Sequence, residues 1–168
     1  GMADAAERLL RLQPDSPERA RSLAALHLQH RQPAKALKVL ERSLDRHADR
    51  LDDPAATYSL LWRALVQTGR GDRAERRLLQ ALKQHPEQAA DLGYQLAAFY
   101  DRTGKPDLFE KTLLDVLDRH PDHARSNNAL SYAWALAGRD LERALDMVDR
   151  ALEAEPDEAA YLDTKGWV

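Results

Sequence analysis

The chain has 168 residues, a formal net charge of −3 and no cysteine. Hydrophobic residues make up 43% of it, enough for a packed core, so the composition excludes a disordered or low-complexity chain. The missing cysteine excludes disulfides and thiolate chemistry, and the mildly acidic balance lacks the basic charge of a nucleic-acid binder. No run approaches the roughly 18 apolar residues of a membrane span, so we expect no membrane insertion by this segment.

Prolines and capping residues predict the helices of the first third. Residues 3–14 are helical in composition and end at Pro14. Ser16 and Pro17 then begin a new helix, with Ser as N-cap and Pro at the first helical position. A partner helix is predicted from Pro33 to His47.

Three further helix pairs are predicted along the rest of the chain. Asp53 and Asp72 are expected to cap the two helices of the first of these pairs, over residues 54–84. The other two pairs cover residues 87–119 and 122–154, and each of the three turns contains a glycine: Gly69, Gly104 and Gly138. Another helix begins after Pro156, so the chain is expected to stop inside a further pair.

A pattern of four residues recurs with a period of 35. Small or apolar residues and a closing proline occupy the same frame three times: Ala74, Leu78, Ala81 and Pro86; Phe109, Leu113, Val116 and Pro121; Ala144, Val148, Ala151 and Pro156. Such a fixed period predicts a stack of one repeated helix pair. In the same register Leu9 precedes Pro14 as Ala151 precedes Pro156, so the first helix corresponds to the second helix of a pair.

This repeat resembles the tetratricopeptide repeat, a unit of about 34 residues with two helices, a turn glycine and a closing proline. The residues that carry the resemblance in the third pair are Leu96, Ala97, Tyr100, Gly104, Leu113 and Pro121, and in the fourth Leu130, Ser131, Trp134, Gly138, Ala144, Val148, Ala151 and Pro156. Trp62 and Phe109 stand at positions where the family usually has a small residue. The first pair lacks both the turn glycine and the closing proline. The distal repeats are similar to those of large bacterial tetratricopeptide proteins.

The resemblance implies an all-α fold, a right-handed α-solenoid of about four helix pairs with truncated half-repeats at both ends. We expect one solenoid over residues 1–168. It is divided into a half-repeat at 3–14, repeats at 17–53, 54–88, 89–123 and 124–158, and a half-repeat at 159–168.

The resemblance also implies a function, that of a non-catalytic scaffold within a larger bacterial protein. Such a scaffold binds a peptide or helix of another protein in a concave groove made by the first helices. The family pattern assigns this groove the residues Arg21, Gln29, Ser59, Arg63, Gln67, Tyr94, Asp101, Arg102, Arg125, Asn128 and Tyr132. Arg and Tyr are frequent anchors of interfaces. The carboxylate clamp of chaperone-binding relatives needs several Lys and Asn, and only Asn128 is of that kind.

Two other functions remain open. Pentatricopeptide RNA-binding repeats have the same period, but they predict a basic chain without closing prolines, and this chain is acidic and has them. The repeats could also be a spacer or regulatory module of an enzyme elsewhere in the parent protein. No Gly-rich phosphate loop or GxSxG motif is present, so we expect neither catalysis nor a cofactor here. The compartment, cytoplasmic or periplasmic, stays open.

The histidines and tryptophans have structural interpretations. His27/His30 and His120/His123 are each three residues apart, but no HExxH or Cys ligand completes a metal site, so we expect no bound metal. His47, His85 and His120 each lie at the end of a second helix, where a hydrogen-bond donor or a cation can interact with the unpaired carbonyl groups. Trp134 is predicted in the core.

Both ends of the chain are expected to expose apolar side chains, because terminal repeats normally carry a polar cap. These side chains are Leu9, Leu10 and Leu12 at one end and Leu162, Trp167 and Val168 at the other. We therefore expect end-to-end self-association, or fraying of the last helix.

Overall fold

The computed structural model describes residues 2–168, except for the side chains of residues 2–4 and 49. Within this range the chain forms ten α helices, two 3₁₀ helices and no strand, so the predicted all-α fold is confirmed. The α helices are α1 (Met2–Leu12), α2 (Pro17–Gln29), α3 (Pro33–His47), α4 (Pro54–Gln67), α5 (Gly71–Gln84), α6 (Ala89–Arg102), α7 (Pro106–Arg119), α8 (Ala124–Ala137), α9 (Leu141–Ala154) and α10 (Ala159–Trp167). The 3₁₀ helices are Ala48–Arg50 and Pro86–Gln88. None of the described helices has the length and apolar character needed to cross a membrane.

Two of the three predicted N-caps form. Ser16 Oγ accepts a hydrogen bond from the Arg19 N–H at 3.1 Å, and Asp53 accepts one from the Ala56 N–H at 2.9 Å. The prediction for Asp72 is wrong, because α5 begins one residue earlier, at Gly71. Asp72 instead lies in the first turn, where its charge favours the positive end of the helix dipole.

The turn inside each complete pair has the same hydrogen bond. A backbone N–H just past the first helix donates to a carbonyl five residues earlier: Gln32 to His27 at 2.8 Å, Arg70 to Leu65 at 2.8 Å, Lys105 to Tyr100 at 2.9 Å and Arg139 to Trp134 at 3.1 Å. This closure needs a left-handed residue, which is glycine in three turns and Arg31, at φ 56°, in the first. The first pair therefore closes in the same way without the glycine of the repeat.

The chain divides into two compact units, and the first of them ends at Gln88. It contains α1 to α5, in which α2 packs on α3, α3 on α4, and α4 on α5. Its core is mainly aliphatic, and the larger buried side chains include Leu37, Leu40, Leu61, Leu65 and Leu78. Trp62, at a place where the repeat usually has a small residue, is also buried.

The second unit begins at Ala89 and contains α6 to α10. Helix α6 packs on α7, α8 packs on α9, and α10 contacts both α8 and α9. Trp134 is almost fully buried in a cluster with Ala97, Leu113, Leu130 and Ala144, as predicted. The helices of the α6–α7 pair approach so closely that a Cβ added to Gly93 would overlap Val116 Cγ2.

Candidate functional site

In the first unit, the candidate groove residues of α4 lie on one face. Ser59, Arg63 and Gln67 are each four residues apart, so their side chains point in the same direction from the helix. Arg63 and Gln67 are exposed and Ser59 is half-buried. Arg63 makes no ion pair with any other described residue, so its guanidinium is available to a ligand.

On α2 the two candidates differ. Gln29 is exposed, whereas the Arg21 side chain is largely covered. Arg21 donates two hydrogen bonds to the carboxylate of Asp52, both at 2.7 Å. This bidentate pair lowers the pKa of Asp52 to about 2 and raises that of Arg21, through the hydrogen bonds between them. Arg21 therefore connects α2 to the segment before α4.

In the second unit, Arg125, Asn128 and Tyr132 form one face of α8. Their spacing of three and seven residues places them on one side of the helix. The Tyr132 ring is 40% exposed. Asn128 Oδ1 is buried, and no described group donates a hydrogen bond to it. A buried acceptor without a donor costs about 1–3 kcal/mol, and few such atoms occur in folded proteins.

The remaining candidates of the second unit lie on α6. Asp101 and Arg102 are exposed at its last turn, and Tyr94 is half-buried. The Tyr94 ring lies in an edge-on arrangement with the imidazole of His123, with 6.2 Å between ring centroids. The contact connects α6 to the residue that precedes α8.

His123 and Asp91 complete a polar cluster that the sequence analysis did not include. His123 Nδ1 lies 2.8 Å from Ser126 Oγ, and its Nε2 lies 3.5 Å from Asp91 Oδ1. The same Asp91 oxygen accepts a hydrogen bond from Arg125 at 3.3 Å. Burial lowers the pKa of His123, and the nearby Asp91 opposes that effect. The imidazole is therefore mainly neutral near pH 7 and can both donate and accept a hydrogen bond.

The repeat spacing contained a signal for this cluster. Asp91 lies three residues before Tyr94 on the same helix face, and it lies 34 residues before Arg125, the length of one repeat. Opposite charges one repeat apart on neighbouring first helices are expected to pair. The groove pattern assigns Arg125 to the surface without indicating a partner, so Asp91 is not among the predicted residues.

The described residues contain no group of three or more His, Cys, Asp or Glu side chains that could hold a metal ion. His85 and His120 follow α5 and α7, as predicted, and their backbone N–H groups donate to the carbonyls of Ala81 and Val116. His47 is the last residue of α3. These histidines therefore lie at helix ends.

Comparison with known proteins supports the repeat assignment. Residues 65–131 match a family model described as tetratricopeptide repeat. No curated protein matches the sequence. The crystal structure of TTC0263, a thermophilic TPR protein of Thermus thermophilus, is 23% identical and covers 98% of this chain and 88% of that one, with a TM-score of 0.73.

Two other solved structures share the fold with lower TM-scores. YrrB, described as a TPR protein with an unusual peptide-binding site, is 18% identical over 98% of this chain and 81% of that one, with a TM-score of 0.57. MamA is 22% identical over 95% of this chain and 90% of that one, also with a TM-score of 0.57. The family match covers α5 to α7 with parts of α4 and α8, and over nearly its whole length the chain shares the fold of these solved structures.

Proposed function

We propose that the chain is a non-catalytic interaction scaffold, a segment of a larger bacterial protein, and that it binds a peptide or helix of another protein. Within each unit the ligand contacts the first helices, on the groove residues predicted from the sequence. The tetratricopeptide fold supports this function, and the peptide-binding site of YrrB gives a precedent on the same fold. Each unit provides its own part of this surface.

The unpaired oxygen of Asn128 is the observation that carries the proposal. An Asn side chain has an N–H₂ donor beside its carbonyl acceptor, so it can pair with both the C=O and the N–H of one peptide group. The Asn128 side chain is half-buried, so a rotation that turns Oδ1 outward would let a peptide N–H satisfy the acceptor that the second unit leaves without a partner. The exposed Tyr132 ring, one turn further along α8, adds apolar contact area for a ligand side chain.

Charged groups beside Asn128 favour a ligand with an acidic side chain or a free carboxylate. Arg125 has a single contact of 3.3 Å with Asp91 and remains exposed, so a ligand carboxylate can take its other N–H groups. In the first unit, Arg63 is exposed and without an ion pair among the described residues. In the second unit, the Arg125–carboxylate contact would orient the peptide while the Asn128 contact holds its backbone.

The test is selection from a random peptide library displayed on phage, followed by affinity measurement with synthetic peptides. We expect Asn128→Ala and Arg125→Ala each to weaken binding of the selected peptides about tenfold or more, because each removes a hydrogen bond to a buried or charged group. Lys111→Ala is the matched control: Lys111 is an exposed cation on the second helix α7 of the same unit. Its replacement is expected to leave the affinity unchanged.

Peptides that bind all variants equally would place the binding site outside the first helices and overturn the site assignment. Failure to select any peptide would contradict the scaffold function itself and favour the spacer alternative. A gel shift with single-stranded RNA at low salt checks the other alternative: the acidic chain is expected to leave the RNA unbound.

A further inference from the structure

A cleft of the first unit lies outside the predicted groove. It has a volume of about 410 Å³ and lies between α3 and the turn that joins α4 to α5. The buried Leu37 gives it an apolar part, and three exposed cations also line it: Lys38, Arg42 and Arg70. A cleft of this volume can take a small ligand or a side chain of another protein.

The cations of this cleft are available to a ligand, because Lys38, Arg42 and Arg70 make no ion pair with any other described residue. Glu41 lines the cleft as well, but its carboxylate is already paired with Arg73 of α5. Asp45 adds one carboxylate that has no ion pair among the described residues. The unpaired charges of the cleft are therefore mainly positive.

The second unit shows what occupies the equivalent place in another repeat. Glu110 of α7 corresponds to Leu37 of α3, because each is the fifth residue of a second helix that begins with proline. Arg139 corresponds to Arg70, because each follows the left-handed glycine of its turn. In the second unit, Arg139 donates a hydrogen bond to the Glu110 carboxylate. In the first unit, Leu37 provides no such acceptor, so Arg70 has no carboxylate of its own unit.

The aromatic side chain beside this ion pair is also replaced. Trp134 lies four residues before the turn glycine of the second unit and donates its indole N–H to the same Glu110. Leu65 occupies the equivalent place in the first unit, four residues before Gly69. Leucine is smaller than tryptophan and has no donor. The first unit therefore has an open cleft beside Arg70, whereas the second unit has a tryptophan and an internal ion pair.

We propose that this cleft binds the carboxylate of an Asp or Glu side chain from an acidic segment of a partner protein. Arg70 contacts this carboxylate as Arg139 contacts Glu110, and Lys38 and Arg42 add positive charge around it. Hydrogen bonds between a guanidinium and a carboxylate are charge-assisted and stronger than those between neutral groups. The site belongs to the second helix α3 and the turn after α4, so it is separate from the groove on the first helices and does not depend on it.

The charges of the second helices favour an acidic protein as the partner. Helices α3 and α5 each contain four Lys or Arg and two Asp or Glu, whereas α7 and α9 each contain two and four. The second helices of the first unit therefore attract anions. A nucleic acid or a phospholipid surface presents closely spaced phosphates, which the carboxylates of Glu41 and Asp45 repel. A protein segment can instead present one carboxylate between uncharged residues.

The test is an NMR titration of the isotope-labelled chain with a capped peptide that has glutamates between glycines. The same peptide with glutamine in place of glutamate is the matched ligand control. With the glutamate peptide, we expect saturable shifts of the amide signals of residues 34–45 and 68–70. The glutamine peptide is expected to bind at least tenfold more weakly, because it lacks the charge that the cations recognise.

Variants of the chain then test the role of each cation. Arg70→Ala is expected to weaken binding of the glutamate peptide about tenfold or more, and Lys38→Ala and Arg42→Ala several-fold each. Lys83→Ala removes an exposed cation of α5 outside the cleft and is expected to leave the affinity unchanged. Asp45→Asn is expected to raise the affinity, because it removes a repelling carboxylate. All these side chains are exposed, so folding is expected to persist, and the amide spectrum of each free variant checks it.

The groove variants distinguish this site from the proposed peptide groove. Asn128→Ala and Arg125→Ala change the second unit and are expected to leave the shifts of residues 34–45 unchanged, so either site can fail without the other. Absence of shifts in these residues, or equal binding of the glutamine peptide, would overturn the carboxylate site. An equal loss in Lys83→Ala and Arg70→Ala would show diffuse attraction in place of a site. Tighter binding of inorganic phosphate than of the glutamate peptide would show a phosphate site and contradict the proposal.

Discussion

The two units have the same repeat but stabilise the end of their first helices differently. In the first unit, the last core residue of α4 is the aliphatic Leu65, and none of the described residues in the following turn is aromatic. In the second unit, Trp134 occupies that place on α8, with the guanidinium carbon of Arg139 5.6 Å and that of Arg143 4.8 Å from the centre of its ring. Glu110 accepts a hydrogen bond from the Trp134 indole N–H at 3.0 Å and another from Arg139 at 3.1 Å.

The units also differ in how they use charge on the first helices. The first unit holds Arg21 by two short hydrogen bonds to Asp52, whereas Arg125 of the second unit has one longer contact with Asp91. An ion pair within a unit occupies charged groups that could otherwise bind a ligand. The comparison therefore indicates that the second unit combines an aromatic core with a weaker hold on Arg125 than the first unit has on Arg21.

Trp134→Ala is the largest expected effect and tests the role of the aromatic core. Removing a buried Trp side chain typically costs about 3–5 kcal/mol, and here it also removes the hydrogen-bond donor to Glu110. In a repeat protein, each repeat contacts only its neighbours, so destabilisation is local. Hydrogen exchange is expected to accelerate across α8 and α9 while α2 and α3 keep their protection. Equal acceleration in both units would show that the two unfold as one.

Gly93→Ala has the next largest effect and tests the close approach of α6 and α7. Alanine is favoured over glycine in a helix by about 1 kcal/mol, but here the methyl group would overlap Val116 Cγ2. Valine on a helix has one strongly preferred rotamer, so Val116 cannot rotate away without cost. We expect a net loss of about 1–3 kcal/mol in the free energy of unfolding from urea titration.

Two further variants control this measurement. Val116→Ala added to Gly93→Ala removes the overlapping methyl group and is expected to recover stability relative to the Gly93→Ala single variant. Gly166→Ala in α10, where nothing lies near the added Cβ, is expected to be neutral or stabilising. If Gly93→Ala proved as harmless as Gly166→Ala, the close packing of this pair would be refuted.

The sequence predicted the fold better than it predicted the candidate site. The helix order, the turn glycines and the core position of Trp134 could be predicted because the same local pattern recurs about every 35 residues, so each repeat supports the assignment of the others. The groove residues remain predictions, because the pattern assigns a side chain to a face without indicating its contacts. The pairing of Arg21 with Asp52 depends on the irregular segment before α4, which the repeat pattern does not cover.

Arg31→Gly tests the one turn that closes without glycine. Arg31 has φ 56°, a left-handed conformation that costs a residue with a side chain about 1–2 kcal/mol and costs glycine little. Glycine has more freedom in the unfolded state, so part of this gain is lost. We expect a net stabilisation of up to about 1 kcal/mol for the first unit, seen as slower exchange of the α2 and α3 amides. Arg70→Gly, an exposed arginine just after the left-handed Gly69, is the control and is expected to give no gain.

Asp52→Asn is the smallest expected effect and tests the ion pair that distinguishes the first unit. The Asp52 side chain is more than half exposed, so solvent limits the contribution of the pair to about 1 kcal/mol or less. The contact with Arg21 lowers the pKa of Asp52 to about 2. The ion pair therefore makes its full contribution to the free energy of unfolding above the ordinary pKa of Asp, near 4. It disappears as the pH falls through about 2, when the folded state too binds the proton.

The stability difference between the unmodified chain and Asp52→Asn is therefore expected to be constant from pH 7 to about 5 and to shrink between about pH 4 and 2. Asp45→Asn removes an exposed carboxylate of α3 without a described ion-pair partner, and as the control it is expected to leave the stability at pH 7 unchanged. Asp91→Asn in the second unit is expected to cost less than Asp52→Asn, because Arg125 has one contact of 3.3 Å in place of two of 2.7 Å. Equal costs would show that the two units hold Arg21 and Arg125 equally firmly.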